Sequence, residues 1–366
     1  MPHRASRFLV GLCVAACLVA GRTADVWAAE RPSAVAVFPV ENLSGVNVPA
    51  DVIRQVLTER LAASGITVLD DETLDAFVVR HRVRYAAGVD AATAALLHKE
   101  TGVEGVVIAS VGLSSDMVPP KIAMVVRLVS TTGAPTVVWA DDAGLSGDDA
   151  PGLLDLRMVN DYDELVERAL DRLCGSLLDY LATGQARTDV KRAAKFRPRV
   201  AYNGVRLEAG KVHSIAVLPF FNVSERRNAG EMLALLFMRH LSSTGAFRVI
   251  DTGEVRQQLL QARVIMDGGI SVADADLVGT ILEADFVLAG RVLAYDDYEG
   301  PEGRTHAEFS VVLIERATRR VVWSSHSDNH GSDGVRFFGR GRSTNAQGMA
   351  TQMVRLATEM IANGRK

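Results

Sequence analysis

Two histidines four residues apart, His326 and His330, with Asp328 between them and Asp333 just beyond, are the first residues to test for chemistry. On a helix this spacing would place both imidazoles on one side, where a carboxylate could complete a zinc site. The run Ser324-Ser-His-Ser-Asp-Asn-His-Gly-Ser-Asp333 instead has the composition of a solvated loop, so no metal ligand is expected. The chain contains no Gly-x-Gly-x-x-Gly or Gly-x-x-x-x-Gly-Lys for a nucleotide and no Gly-x-Ser-x-Gly for a nucleophile. No catalytic residue and no cofactor is assigned. Cys174 lies at helical spacing with Val166, Leu170 and Leu178, as a buried and inert thiol would. Asn42-Leu-Ser44 and Asn222-Val-Ser224 have the form of glycosylation acceptors, but the expected role is to close a turn through side-chain bonds to backbone.

Partner surfaces are easier to find than reactive sites. Phe337-Phe338-Gly-Arg340-Gly-Arg342 sets two aromatics beside two arginines, a composition that suits a docking surface. The alternative is that the phenylalanines enter the core and the arginines are solvated. Leu235 and Met238 widen the apolar stripe of a helix whose counterpart earlier in the chain has Gln55 and Thr58. A wider stripe needs cover from another domain or another chain. The candidate partner surface is thus Leu235, Met238, Phe337, Phe338, Arg340 and Arg342.

The elements that would position these residues occur twice. Ala34-Val-Ala-Val-Phe-Pro39 matches Ser214-Ile-Ala-Val-Leu-Pro219 at an offset of 180, and Asn42-x-Ser44 matches Asn222-x-Ser224. With one inserted residue, Val68-Leu-Asp70 aligns with Val249-Ile-Asp251, and Val106-Val-Ile-Ala109 with Val287-Leu-Ala-Gly290. Val137-Val-Trp139 and Val321-Val-Trp323 close a hairpin in each copy, and a helix follows near 162–183 and 346–363, with Gly184 and Gly364 beyond. The order strand, helix, strand, short helices, strand, hairpin, helix predicts an α/β protein of two tandem homologous domains. Each would be a mixed β-sheet with helices packed on it.

Residues 1–28 read as a signal peptide: His3, Arg4 and Arg7, then an apolar run from Phe8 to Gly21, then Val26-Trp-Ala28 as a cleavage site. The run is shorter than the roughly 20 residues of a membrane-spanning helix. Val14-Ala-Ala-Cys17 also has the form of a lipobox, which would make Cys17 a lipidation site and the protein membrane-associated through that anchor alone. The domains are then 29–184 and 211–366, joined by a basic linker over 185–210. The acidic run from Asp141 to Asp171 is expected to be solvated. A net charge of −4 and 6% aromatic residues argue against nucleic acid as a partner.

The Ala-Val-Phe-Pro and Ala-Val-Leu-Pro-Phe strands, the Asn-x-Ser turns, the segments Gly65-Ile-Thr-Val-Leu-Asp70 and Gly245-Ala-Phe-Arg-Val-Ile-Asp251, Ala284-Asp-Phe-Val-Leu-Ala-Gly290 and the Val-Val-Trp hairpins carry a resemblance. Together they resemble the bacterial envelope family that includes the curli-secretion lipoprotein CsgG, the penicillin-binding-protein activator LpoB and the TolB amino-terminal domain. The resemblance implies a non-enzymatic adaptor, periplasmic and in some relatives outer-membrane associated, that meets an envelope protein partner or its own copies during envelope assembly. An oligomeric secretion channel of the curli type and a small-molecule-binding periplasmic protein are the alternatives. The first would need long membrane hairpins, and no clean pair of them is visible in the sequence.

Overall fold

The computed structural model describes residues 31–149, 158–186, 195–208, 210–264, 272–297, 304–333 and 343–363. Residues 1–28, expected to be a signal peptide, with Cys17, and Phe337, Phe338, Arg340 and Arg342, lie outside the described residues. The first half runs β1 (Ala34–Val37), β2 (Glu41–Asn42), α1 (Ala50–Ala63), β3 (Thr67–Val68), α2 (Asp71–Arg80), α3 (Ala91–Thr101), β4 (Gly105–Ser115), β5 (Lys121–Ser130), β6 (Thr136–Ser146) and α4 (Tyr162–Thr183). After β7 (Arg199–Asn203) comes β8 (His213–Val217), β9 (Phe221–Asn222), α5 (Ala229–Ser243), β10 (Phe247–Ile250), α6 (Thr252–Gln261), α7 (Val272–Ile281), β11 (Phe286–Asp296), β12 (His306–Glu315), β13 (Arg320–His330) and α8 (Ala346–Asn363).

Local chemistry accounts for these elements. In α4, Leu165, Ala169, Leu173, Leu177 and Tyr180 recur at helical spacing and are buried. Asp161 accepts a bond from Glu164 N at 3.0 Å to start that helix, and Gly184 ends it at φ 74°. Both Asn-x-Ser segments form the expected turn. Asn42 Oδ1 accepts from Ser44 N at 3.0 Å while its Nδ2 donates to Val46 O at 2.7 Å. Asn222 repeats this with Ser224 N at 3.1 Å and Arg226 O at 2.7 Å.

The strands form one sheet in the order β3-β1-β4-β5-β6-β10-β8-β11-β12-β13-β7, with β2 beside β4 and β9 beside β11. In each half the first strand lies parallel between two neighbours, and the later hairpin strands run antiparallel. Val35 sits opposite Gly105 and Ile215 opposite Phe286, which keeps the offsets of 180 and 181 residues. The expected α/β class is observed. The continuous sheet is an addition: β6 pairs antiparallel with β10 through Val137–Val249 and Thr136–Ile250, so each half covers an exposed strand edge of the other. From Pro32 onward the chain packs as one compact unit.

Alternate strand residues face opposite sides of the sheet. In the first half Val35, Val107, Met124, Val126 and Trp139 pack with α1 and α4. Phe38, Val106, Ile108 and Val125 share a second core with α5 and α8. Those two helices also receive Val217, Leu288, Phe309 and Leu313 of the second half, while α6 and α7 cover its other face.

Three expectations change. The 185–210 segment is not only linker: it carries β7, which pairs antiparallel with β13, and Phe196, which is buried. The His326–His330 segment is strand rather than loop. It escaped notice because Ser325 and Ser327 point inward where apolar residues mark most strands. Asp141 and Asp142 are not solvated but buried on β6, because α5 brings a cation to them.

Candidate functional site

Two buried polar networks hold the halves together. In one, Arg239 of α5 donates through Nη2 to Asp141 Oδ1 at 2.8 Å, and its Nε lies 3.1 Å from Asp142 Oδ1. Thr351 of α8 donates to Asp142 Oδ2 at 2.6 Å. Burial raises the Asp142 pKa against the pull of Arg239. In the other, the cation comes from the first half. Arg127 of β5 donates through Nε to Asp251 Oδ1 at 3.0 Å, and also reaches Thr252 Oγ1 at 3.1 Å, Ser110 Oγ at 3.3 Å and the Ala87 carbonyl. Asp251 further accepts from Val89 N at 2.7 Å and Gly253 N at 2.9 Å, the latter as N-cap of α6. Its counterpart Asp70 caps α2 from the exposed surface. Backbones touch beside Asp251: a Cβ on Gly253 would lie 2.1 Å from Val89 N, and one on Gly88 would lie 2.4 Å from Gly253 N. Only glycine allows that approach.

Ser110 extends the second network to Glu41, donating to Oε2 at 2.6 Å. Glu41 then opens onto a cleft between the halves. Its apolar wall is Val217, Pro219, Ala234, Leu235, Val255 and Leu259. Its polar groups are Glu41, Glu231, Tyr85, Thr252 and Arg256, whose guanidinium lies over the Tyr85 ring at 4.7 Å. The cleft sits beyond the carboxyl ends of parallel strands β8 and β10, a usual ligand position in α/β sheets. Burial raises the Glu41 pKa, opposed by Arg127 and Ser110 and reinforced by Glu231. Burial also raises that of Tyr85. Thr252 Oγ1 accepts from Arg127 and lies 3.3 Å from the Ala87 carbonyl. The cleft can hold an apolar body with a polar or cationic tip.

Of the sequence-predicted partner residues, Leu235 and Met238 are buried at 4% and 1% exposure. Of the two covers expected for the wider stripe, another domain or another chain, the first is observed, since α5 packs on β6 of the first half and on α8, and these two residues are not a free partner surface. Leu235 lines the cleft as well. Sequence reasoning missed Glu41, Tyr85 and Arg127. Their one local sign was charged or polar residues in apolar surroundings, and their partners are 124 residues or more away in the case of Arg127 and Asp251. Cys174 is buried as expected, and burial raises its pKa.

The cleft's second-half residues, Val217 to Leu259, fall inside the region that similarity to known proteins singles out. Residues 206–328 match the peptidoglycan-synthase activator LpoB family. No curated protein matches the chain. Among solved structures, the PelC dodecamer of Paraburkholderia phytofirmans is 16% identical and covers 46% of this chain and 97% of its own, at a TM-score of 0.32. Lipoprotein GNA1162 of Neisseria meningitidis is 19% identical over 38% of this chain and 96% of its own, at 0.29. The LpoB C-terminal domain of Salmonella enterica is 16% identical over 31% and 81%, at 0.26. Among the described residues no helix is long and apolar enough to cross a membrane.

Proposed function

We propose that the protein is a non-catalytic adaptor of the bacterial cell envelope that docks on a peptidoglycan synthase and stimulates it. The observation that carries this reading is the LpoB-family match over residues 206–328, which spans α5, the cleft wall and most of the β12–β13 hairpin. The signal-like start supports an address outside the cytoplasm. The recurrence of element order and register supports a duplication in which the LpoB-like unit is the second copy. The test is reconstitution. Purified protein is added to a bifunctional peptidoglycan synthase from the same bacterium, and glycan polymerisation and crosslinking are timed. Stimulation with saturable binding is expected. Unchanged rates together with no synthase recovered by crosslinking in intact envelopes would overturn the reading.

A second reading is a periplasmic small-molecule binder, favoured by the cleft's paired carboxylates and apolar wall. A thermal shift with small cationic or sugar-like ligands that disappears in Glu41→Gln and Glu231→Gln supports it.

A further inference from the structure

The strand register of the last hairpin gathers side chains that the sequence keeps apart. On β12 and β13, His306 is opposite His330, Glu308 opposite Asp328, and Ser310 opposite His326. These residues share the outward face, since their neighbours Ala307, Phe309, Ser325 and Ser327 are buried. The His306 and His330 rings stack at 4.2 Å. His306 Nε2 lies 3.0 Å from Asp328 Oδ1. One ligand atom from each of His306, Asp328 and His330 falls within 4.8 Å of the others, and Glu308, His326 and Asp328 form an adjoining triad that uses the same aspartate.

We propose that the outward face of this hairpin is a binding site for one divalent transition-metal ion of the zinc class, with His306, Asp328 and His330 as ligands. Two imidazoles and a carboxylate suit zinc, cobalt, nickel or copper rather than magnesium or calcium. Ligand atoms of a tetrahedral zinc site lie roughly 3.4 Å apart and imidazole lone pairs lie in the ring plane, so the His306 and His330 rings must turn out of their stack to close the triad, a side-chain rotation that leaves the backbone ladder in place. The second side of His306 is already arranged. Its Nδ1 faces a second carboxylate, 3.8 Å from Asp296 Oδ2 on the neighbouring strand, while Nε2 is directed at Asp328. Asp333 is not a ligand: its carboxylate accepts from His330 N at 2.8 Å and Asn329 Nδ2 at 3.2 Å, which pins the strand end. The His326 triad offers one imidazole and must share Asp328, so the ion belongs to the His306 triad. Three protein ligands leave a coordination position for water or for a partner's side chain.

The experiment uses the tag-free chain lacking its signal segment, titrated with Co2+ and followed by visible absorption, and with Zn2+ by calorimetry. Saturable uptake of one ion per chain with a tetrahedral cobalt spectrum is expected. His306→Asn/His330→Asn is expected to abolish uptake while its far-ultraviolet circular dichroism stays unchanged, and His326→Asn is expected to keep it. Asp328→Asn provides a second test should the double variant fold poorly. Non-saturable uptake by the parent chain, retention in the double variant or in Asp328→Asn, or loss in His326→Asn would each overturn the assignment.

Discussion

Arg127→Met isolates the charge that joins the halves. The Arg127 and Asp251 side chains are 1% and 0% exposed, so the substitution leaves a buried carboxylate facing an apolar side chain. Breaking a buried pair from one side costs about 3–5 kcal/mol. Asp251 keeps its bonds from Val89 N and Gly253 N, which holds the cost toward the lower end. With an m-value near 3 kcal/mol/M, the urea midpoint should fall by roughly 1 M. Arg168→Ala is the control. Its partner Glu164 lies on the same helix at 2.6 Å, with side chains 54% and 51% exposed, and the loss there should be about 0.3–0.5 kcal/mol.

The assay has a reporter in each half. Trp139 sits in the first-half core and Trp323 in the core around α5 and α8, both buried. In a chain that also carries Trp27→Phe, single-tryptophan versions made with Trp139→Phe or Trp323→Phe should both register the shift, because one sheet and one shared core connect them. Arg127→Met/Asp251→Asn should recover part of the loss, with a coupling of about 1–3 kcal/mol. A midpoint shift no larger than that of the Arg168 control, or a shift confined to one tryptophan, would refute the claim that this pair unites the halves.

Gly253→Ala should lower the melting temperature markedly, at a cost of about 1–3 kcal/mol or more, because the added methyl meets backbone rather than a movable side chain; calorimetry reads it. Leu235→Arg should destabilise the fold strongly, whereas Leu235→Met should cost less than about 1.5 kcal/mol; equal melting temperatures for the arginine variant and the parent would contradict burial by the protein's own sheet. Glu41→Gln should alter the pH dependence of stability. The folded Glu41 pKa is raised above its ordinary 4.5, so the folded state binds the extra proton in the window just above 4.5, and the parent loses stability there as pH rises. Urea midpoints measured across that window should therefore favour Glu41→Gln increasingly toward neutral pH.

Features set by nearby residues were legible in the sequence. Asp70, Asp90 and Asp251 accept the first-turn amides of α2, α3 and α6. Both Asn-x-Ser turns and the bounds of α4 and α8 follow from signals within a few residues. What escaped depends on distant contacts. Consecutive Asp141 and Asp142 fit neither strand nor helix periodicity as core residues, and distant partners explain their burial: Arg239, 98 residues after Asp141, and Thr351 at Asp142. The polar β13 becomes a strand because β12 and β7 supply hydrogen-bond partners on both sides. The cleft draws Glu41 and Tyr85 from one half and its other lining residues from the other, and no motif within either half encodes it.

The two halves use the same helix position differently. In α1, Val52 is 55% exposed and Gln55 bonds Glu59 at 2.8 Å on the surface, so the helix serves only its own half. In α5 the corresponding Met232 and Leu235 are buried and Arg239 reaches back to Asp141. The broader apolar stripe is therefore the seam of the protein itself, and the LpoB-like region is not a free-standing module within this chain. An isolated second half would expose the α5 face that packs on β6 and leave Arg239 without its carboxylates. The cleft itself requires both halves, because its apolar wall comes from one and the carboxylate of Glu41 from the other.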